Sequence, residues 1–314
     1  MEEIRLLKRY SLCTKLKEER FVITAEISTP KGADITKTIE EARKLKGIVD
    51  AINITDCPMA NMRMSPIALA HLLQDHLNIE TIFHLTCRDR NLIGLQSELL
   101  GAYALGVRNV LALTGDDPSQ GDTPTATGVF DVDSIGLLKI VNLLNNGKDY
   151  NMNNLDFPTD FCVGTTANPN DLSKKSIEKL KEKVNSGAKF IQTQPVYEAD
   201  ILLEFIEKTR DLKTPVLVGI LPLKSYKMAV NLGLKVPGIN IPERIIKRLE
   251  KRGKEDVKEE GINISVELIK KIKNNIAGIH VMPIGSVDIV TEIIGRIEDI
   301  NYDYDFFNID INVD

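Results

Sequence analysis

Short runs of mostly apolar, often β-branched residues recur along the chain and alternate with longer segments that have helical periodicity. Several of these runs are apolar at nearly every position, which is typical of strands that are buried on both faces of a parallel sheet. The eight predicted strands span residues 21–28, 49–55, 80–86, 108–114, 159–166, 188–194, 214–220 and 277–283.

The segments between these runs have the spacing of amphipathic helices. In SKKSIEKLKEKVNSGA, Ser173 is a predicted N-cap and Gly187 marks the predicted end of the helix. Eight strands that alternate with helices predict an α/β fold, a single (β/α)8 TIM barrel. A doubly wound sheet is the alternative, but no G-x-G-x-x-G fingerprint follows the first strand.

The predicted barrel spans residues 21–298 and leaves a segment at each end. Residues 1–20 are charged and amphipathic, which predicts a helix before the barrel. Residues 299–314 alternate acidic with apolar and aromatic residues and are treated as a separate tail. The helix and the tail are our candidates for contacts with other subunits.

The composition narrows the class of protein. The chain has 314 residues, of which 43% are hydrophobic, and it carries a formal net charge of −5. An acidic balance argues against a protein that mainly binds nucleic acid or anionic membranes. No apolar run approaches the roughly 20 residues that span a bilayer, and the first residues lack a signal-peptide core. We therefore expect a cytoplasmic protein without membrane insertion.

The cysteines give no sign of a metal centre. Cys13, Cys57, Cys87 and Cys162 are widely spaced and form no C-x-x-C pair, so a structural zinc or iron–sulfur site is not expected. Thiols of a cytoplasmic protein are usually reduced. The sequence therefore predicts four separate, reduced cysteines.

Polar residues follow several predicted strands at the end where barrel enzymes hold their reacting groups. Glu26 lies near the end of the first strand, His84 in the third, and Gln194 at the end of the sixth. The fourth strand runs into the aspartates of NVLALTGDDPSQGD. Burying a carboxylate is costly unless something compensates its charge, so Asp116 is a candidate functional group, whereas Asp117 is assigned to the turn.

Familiar catalytic motifs are absent from the sequence. It contains no H-E-x-x-H, no P-loop and no G-x-S-x-G elbow, and its four histidines lack metal-ligand spacing. No metal site is predicted. Polar strand ends without such motifs favour a bound cofactor that supplies the chemistry while the protein orients it.

Five motifs, in order, resemble the flavin-dependent methylenetetrahydrofolate reductases of the short bacterial type: AEISTPKG, FHLTCRDRN, LALTGDDP, LKEKVNSGAKFIQTQP and VGILP. They cover about residues 20–285. The resemblance implies a barrel with FAD at the carboxyl ends of its strands. It also implies reduction of 5,10-methylenetetrahydrofolate to 5-methyltetrahydrofolate by hydride transfer, in one-carbon metabolism and methionine biosynthesis.

The resemblance also implies roles for individual residues. Glu26 matches the acid that protonates N10 when the folate ring opens, and its apolar strand predicts a raised pKa. Asp116 matches the aspartate beside flavin and folate that favours the developing folate cation. Gln194 matches a residue that binds the pterin. The implied flavin contacts are Thr55, Ala60, His84, Thr114, Gly115, Asp116, Asn168 and Lys183.

Two departures from the pattern leave alternatives open. Asn168 lies in TTANP, which replaces a histidine-containing turn, and MPIGS after the eighth strand lacks an arginine. FMN is therefore kept beside FAD. The expected electron donor is NADH, NADPH or a small iron–sulfur partner subunit, and a homo-oligomer is expected. The alternative functions are a pterin-binding methyltransferase barrel and a non-catalytic flavin- or folate-binding subunit of an electron-transfer complex.

Overall fold

Eight parallel strands close into a barrel, because each strand pairs with the next along the chain and the eighth pairs with the first. The computed structural model describes residues 12–235, 238–250 and 252–297. The strands are β1 (Val22–Ile27), β2 (Ala51–Ile54), β3 (Thr81–Thr86), β4 (Asn109–Leu113), β5 (Cys162–Ala167), β6 (Phe190–Pro195), β7 (Val216–Ile220) and β8 (Gly278–Val281). All eight predicted strands and the TIM-barrel fold are confirmed.

Helices follow the strands and form the outer layer. They are α1 (Leu12–Lys17), α2 (Thr36–Leu45), α3 (Pro66–Leu77), α4 (Leu92–Ala104), α5 (Ser134–Asn145), α6 (Lys174–Asn185), α7 (Ala199–Thr209), α8 (Tyr226–Lys235), α9 (Glu243–Leu249), α10 (Lys254–Ile272) and α11 (Asp288–Gly295). As predicted, Ser173 caps α6, where its side chain accepts a hydrogen bond from the Ser176 backbone N–H. In the described part of the chain, no helix is long and apolar enough to cross a membrane.

The strands are buried on both faces, as their composition predicts. On β1, Ile23 and Ala25 are fully buried on the outer face, in the main apolar cluster that includes helix residues such as Leu45 and Leu73. Each fully buried aliphatic side chain of this kind contributes about 1.5–3 kcal/mol. The alternate residues, Val22, Thr24 and Glu26 on β1, point into the barrel, where the polar ones are available for chemistry.

Helix α1 closes the amino-terminal end of the barrel. Leu12 and Leu16 are buried in one cluster with inward-facing strand residues such as Val22, Ile82 and Leu217. The backbone N–H of Leu12 donates to both carboxylate oxygens of Glu80, at 2.9 and 3.1 Å. This end is therefore packed and the reacting groups are confined to the other end. Most of the predicted segment 1–20 and the whole tail 299–314 lie outside the described residues.

The prediction of four separate thiols is wrong for two of them. Cys13 on α1 and Cys162 at the start of β5 form a disulfide, with their Cα atoms 5.9 Å apart. Cys57 and Cys87 are free. The two paired cysteines are 149 residues apart in sequence, and they meet because α1 packs beneath the barrel. Spacing along the chain carries no sign of that contact.

Replacing Cys13 by serine is expected to lower the free energy of unfolding by about 2–4 kcal/mol, because the disulfide restricts the unfolded chain over a long loop. The melting temperature, measured with and without a thiol reductant, checks this. Reductant should lower it for the wild type and for Cys57→Ser, the matched control, but not for Cys13→Ser. Equal melting temperatures for all three proteins without reductant would contradict the pairing.

Candidate active site

The carboxyl ends of the strands form a mouth that contains the three residues predicted to act on substrate. The side chain of Glu26, one residue before the end of β1, is 27% exposed. Asp116 is exposed just after β4, and Gln194 is exposed near the end of β6. The pairing of β6 with β7 shifts register between Gln192 and Pro195. Such an irregularity re-aims a side chain at the edge of a sheet.

A layer of hydrogen-bonded polar side chains fills the barrel beneath this mouth. Asn53 Nδ2 donates to Gln192 Oε1 at 2.8 Å and lies 3.0 Å from His84 Nε2. Gln192 Nε2 in turn donates to Asn53 Oδ1 at 3.2 Å. Thr24 Oγ1 lies 2.9 Å from His280 Nδ1. These five side chains come from β1, β2, β3, β6 and β8, so the layer links five of the eight strands across the barrel interior.

His84 is part of this layer rather than of the open mouth. It is 7% exposed, and burial lowers its pKa to about 4. His84 is therefore neutral near pH 7, and its Nε2 can accept the hydrogen bond from Asn53. His84 lies in the carboxyl half of β3, as predicted, but its side chain is buried beneath the mouth.

The predicted raised pKa of Glu26 is wrong for the ligand-free protein. Burial raises the pKa of this carboxyl, but the nearby imidazole of His280, with a smaller effect of His84, outweighs burial and lowers it. His280 Nε2 lies 3.8 Å from Glu26 Oε2. The sequence prediction considered only the apolar strand around Glu26. The residue that lowers its pKa, His280, belongs to β8.

The β4 loop is shaped by a glycine. Gly115 has φ +93°, and a Cβ there would lie 3.0 Å from the Cβ atoms of Thr86 and Arg88, so a larger residue would be strained and crowded. Thr114 Oγ1 accepts a hydrogen bond from the Ser134 backbone N–H at 3.2 Å, at the start of α5. The Asp117 side chain accepts from the Ser119 backbone N–H at 2.8 Å. Asp117 thus builds the turn, as predicted, and leaves Asp116 exposed.

The loop after β2 has an unusual backbone. Cys57, Met59 and Ala60 have φ of +44°, +53° and +55°, a region in which residues other than glycine are uncommon. This loop packs closely on the β4 loop, since a Cβ on Gly121 would lie 1.9 Å from the Ala60 carbonyl oxygen. Strained backbone of this kind clusters at ligand sites. In this loop, Ala60 lies at the contact with the β4 loop.

One carboxylate holds three of the mouth loops together. Asp122 Oδ1, in the β4 loop, accepts from the Met62 backbone N–H at 2.9 Å. Its Oδ2 accepts from Lys31 Nζ, in the β1 loop, at 3.0 Å. The loop that follows Glu26 and the loops that carry Ala60 and Asp116 are thus connected to one another above the barrel.

Two ion pairs lie at the end of β3, and the Asp56 carboxylate of one of them is buried. Asp56 Oδ2 accepts from the backbone N–H and the hydroxyl of Thr86 and from Arg90 Nη1, each at 2.9 Å. Arg88 is 2% exposed and binds the Asp89 carboxylate through two hydrogen bonds of 2.8 Å. Asp56, which bonds Thr86 directly, therefore fixes the end of the strand from which His84 projects.

Two buried polar atoms at the mouth have no hydrogen-bond partner among the residues that the structure describes. They are Thr55 Oγ1, directly after β2, and Arg88 Nη1, after β3. A buried polar atom left unpaired costs about 1–3 kcal/mol. Both atoms are therefore suited to bonding a polar ligand such as a flavin ring, with Thr55 the one that the sequence predicted.

A cavity lies between the end of β5 and α6 and contains both remaining predicted cofactor residues, Asn168 and Lys183, together with Lys179 and Ser176. Lys183 Nζ donates to the Thr166 carbonyl at 2.8 Å. Burial lowers the Lys183 pKa to about 8, and the charge of Lys179 adds to this. The lining also includes Asp171, whose carboxylate accepts a hydrogen bond from the Ser176 hydroxyl. The two lysines fit the phosphate of a nucleotide cofactor, and the polar groups beside them fit its ribose.

The predicted residues therefore fall into three groups. His84 lies inside the barrel beneath Glu26, and Asn168 and Lys183 share the β5 cavity. Glu26 and the remaining predicted residues lie at the mouth or in its β2 and β4 loops. Across the described residues, no group of three or more His, Cys, Asp or Glu side chains could hold a metal ion.

Sequence reasoning missed the residues of the buried polar layer that support Glu26. They are Thr24, Asn53, Gln192 and His280. A signal was present, because each is a polar residue inside an otherwise apolar strand. On β1, moreover, the polar residues Thr24 and Glu26 are two positions apart, which places them on one face.

Comparison with known proteins identifies the family. The sequence profile described as Methylenetetrahydrofolate reductase matches residues 11–298. Methylenetetrahydrofolate reductase 1 of Schizosaccharomyces pombe is 28% identical over 239 residues, which is 73% of this chain and 37% of that protein. The 5,10-methylenetetrahydrofolate reductase of Pectobacterium carotovorum is 23% identical over 66% of each chain. The chain thus spans little more than a third of the length of the fungal relative.

A solved structure supports the fold. An uncharacterized protein from Clostridium thermocellum, which binds two copies of 5-methyl-5,6,7,8-tetrahydrofolic acid, superposes with a TM-score of 0.64. The comparison covers 92% of this chain and 99% of that one, at 15% identity. At that identity the similarity shows the barrel alone. Because the family profile covers nearly the whole barrel, the chain belongs to the methylenetetrahydrofolate reductase family.

Proposed function

We propose that this chain reduces 5,10-methylenetetrahydrofolate to 5-methyltetrahydrofolate with a bound flavin. The observation that carries the proposal is the carboxyl of Glu26, partly exposed at the mouth of a barrel of this family. The substrate must open its five-membered ring before it accepts a hydride, and ring opening requires a proton at N10. Glu26 is an acid in the position expected for that proton transfer.

When bound, the flavin would supply the hydride. Lys183 and Asn168 would hold its phosphate and ribose portion in the β5 cavity, and Thr55 would bond a polar edge of the ring. FAD and FMN both present these groups, and FAD is the proposed form. NADH, NADPH or a reduced iron–sulfur partner subunit would deliver the electrons, and the chain would assemble as a homo-oligomer.

On the substrate side, Gln194 would bond the pterin, because its amide is exposed at the mouth and can both donate and accept. Asp116 would place negative charge beside the developing 5-iminium cation. A methyltransferase or a non-catalytic subunit would not need an acid at Glu26. The presence of that acid favours the reductase.

Product analysis tests the proposal. The purified protein, reconstituted with FAD and supplied with 5,10-methylenetetrahydrofolate and either NADH or a chemical reductant, should form 5-methyltetrahydrofolate in amounts that exceed the enzyme. Chromatography with mass detection quantifies it. Flavin-loaded protein that forms no product with any of these reductants would contradict the proposal.

Replacing Lys183 by methionine is expected to weaken flavin binding about 10–100-fold, since hydrogen bonds to charged groups contribute about 1.5–3 kcal/mol. Titration of the flavin-free protein with FAD, followed by flavin fluorescence, measures this. Lys175→Met is the matched control, because Lys175 is exposed on the same helix and lies outside the cavity. If both variants bind FAD as the wild type does, the cavity is not the phosphate site.

A further inference from the structure

Arg88 is a buried cation at the mouth with an unused hydrogen-bond donor. Its side chain is 2% exposed. Nε and Nη2 donate to the two carboxylate oxygens of Asp89, each at 2.8 Å. Nη1 is buried and has no hydrogen-bond partner among the residues that the structure describes. A buried donor without a partner is costly, and more so when the group is charged, so a ligand is the expected partner of Nη1.

The position of Arg88 along β3 directs its side chain toward the inside of the barrel. The Cys87 backbone N–H donates to the carbonyl oxygens of Leu113 and Thr114, so the pairing of β3 with β4 continues beyond the end of the strand. Side chains alternate between the two faces of a strand. Arg88 follows His84, which points inward, by four positions. Arg88 therefore lies on the inward face, above His84.

A glycine lies directly beside this side chain. A Cβ on Gly115, after β4, would lie 3.0 Å from the Cβ atoms of both Arg88 and Thr86. A backbone without a side chain allows a planar ligand to approach closely. A buried donor and a bare stretch of backbone are thus neighbours at the ends of β3 and β4.

A second buried polar atom without a partner lies at the end of the adjacent strand. Thr55 Oγ1, after β2, also lacks a hydrogen-bond partner among the described residues. Thr55 is two positions after Asn53, whose side chain lies 3.0 Å from His84 inside the barrel. Because β2 pairs with β3, Thr55 and Arg88 point into the same part of the mouth.

This part of the mouth favours flavin over folate as the ligand of Arg88. The proposed folate contacts, Gln194 and Glu26, lie on β6 and β1. Arg88 instead follows β3, between Thr55 after β2, proposed above as a contact of the flavin ring, and Gly115 after β4. The flavin ring carries carbonyl oxygens and ring nitrogens that accept hydrogen bonds, and a guanidinium can only donate.

We propose that Arg88 binds the flavin ring, that its Nη1 donates a hydrogen bond to an acceptor atom of the ring, and that its charge favours the reduced form. This inference rests on the proposed function for the identity of the ligand. Reduction adds electrons to the ring, so a fixed cation beside the ring stabilises the reduced form more than the oxidised form. Asp89 offsets only part of this charge, because its side chain is 44% exposed and therefore hydrated.

The protein encloses Nη1, so the flavin ring reaches it only when a neighbouring segment shifts. The β2 loop borders Arg88 and is the segment that we expect to shift. Its backbone has positive φ at Cys57, Met59 and Ala60, and strained backbone of this kind is common in segments that clamp ligands. Burial raises the pKa of the Cys57 thiol, and the charge of Arg88 is among the smaller influences that lower it, which agrees with their proximity.

The first test observes Arg88 in the intact protein. With ¹⁵N-labelled arginine, NMR should show the side-chain resonances of Arg88, assigned by their loss in Arg88→Lys, shifting when saturating FAD is added. The resonances of Arg43, which is exposed on α2, should not shift. A wild type that binds FAD without any change at Arg88 would overturn the proposal while leaving the proposed function intact. A wild type that binds no flavin would contradict both.

The second test compares the affinities for oxidised and reduced FAD, measured by anaerobic titration. Arg88→Met should bind oxidised FAD about tenfold more weakly, because a hydrogen bond from a charged group is lost. It should bind reduced FAD weaker by a further factor of about ten, which corresponds to a potential about 30 mV lower for the bound flavin. Arg88→Lys keeps the charge but not the planar fork, so it should weaken both forms equally and leave the potential unchanged.

Arg43→Met is the matched control and should equal the wild type in both affinities. If Arg88→Met weakens the two forms of FAD equally, Arg88 has a packing role and the proposal is overturned. Wild-type affinities in Arg88→Met would overturn it as well. Arg88→Gln, which is also uncharged, replaces Arg88→Met if that variant does not fold, and the same outcomes decide.

Discussion

Replacing Glu26 by glutamine is expected to slow folate reduction about 10²–10⁴-fold, the usual contribution of a positioned general acid, while flavin stays bound. Glutamine has nearly the same size and can still hydrogen-bond, but it cannot release a proton at N10. Because the flavin would be held by other residues, among them Lys183 and Thr55, its affinity should not change. Stopped-flow absorbance of the reduced protein mixed with 5,10-methylenetetrahydrofolate measures the rate.

The control for this variant is Glu178→Gln, on the exposed face of α6. Among the residues that the structure describes, Glu178 makes only a surface ion pair with Lys174, and such pairs contribute little to stability. Its folate rate and its flavin content should equal those of the wild type. Normal folate turnover in Glu26→Gln would show that Glu26 is not the general acid. Loss of flavin in that variant would indicate a structural role instead.

Replacing Asp116 by asparagine is expected to slow the folate half-reaction about 10–100-fold and the reduction by the electron donor much less. The carboxylate is exposed at the mouth, so it can act on a bound ligand. Its charge favours a cation that develops only in the folate half-reaction, and single preorganised groups of this kind contribute up to about 10²–10³ in rate. Stopped-flow measurement of the two half-reactions separates them.

The neighbouring aspartate provides a matched control. Asp117 accepts the Ser119 backbone N–H at 2.8 Å, and asparagine can make the same bond, so Asp117→Asn should leave both half-reactions unchanged. Equal slowing of the two half-reactions in Asp116→Asn would argue against a selective electrostatic role for Asp116.

The fold was predictable because strands and helix ends are marked by residues that are close together in the sequence. All eight strands were predicted from apolar, β-branched runs, and the ends of α6 follow from Ser173 and Gly187. Because all eight strands are parallel, their carboxyl ends lie together at the mouth. That is why Glu26, Asp116 and Gln194 could be assigned to one end of the barrel from the sequence.

The errors came from contacts between distant parts of the chain. The Cys13–Cys162 disulfide exists because α1 packs beneath the barrel. The lowered pKa of Glu26 depends on His280, which β8 brings beside β1. Neither contact has a signature in spacing or composition. The polar layer around Asn53 could have been found, because its members interrupt apolar strands at positions that face inward.

A single spectroscopic experiment shows whether this barrel passes electrons from a bound flavin to folate. The protein is purified anaerobically, its visible spectrum is recorded, the flavin is reduced chemically, and 5,10-methylenetetrahydrofolate is added. We expect a flavin band that bleaches on reduction and returns when the folate is added. The absence of bound flavin even after reconstitution with FAD or FMN, or a band that stays bleached when folate is added, would contradict it.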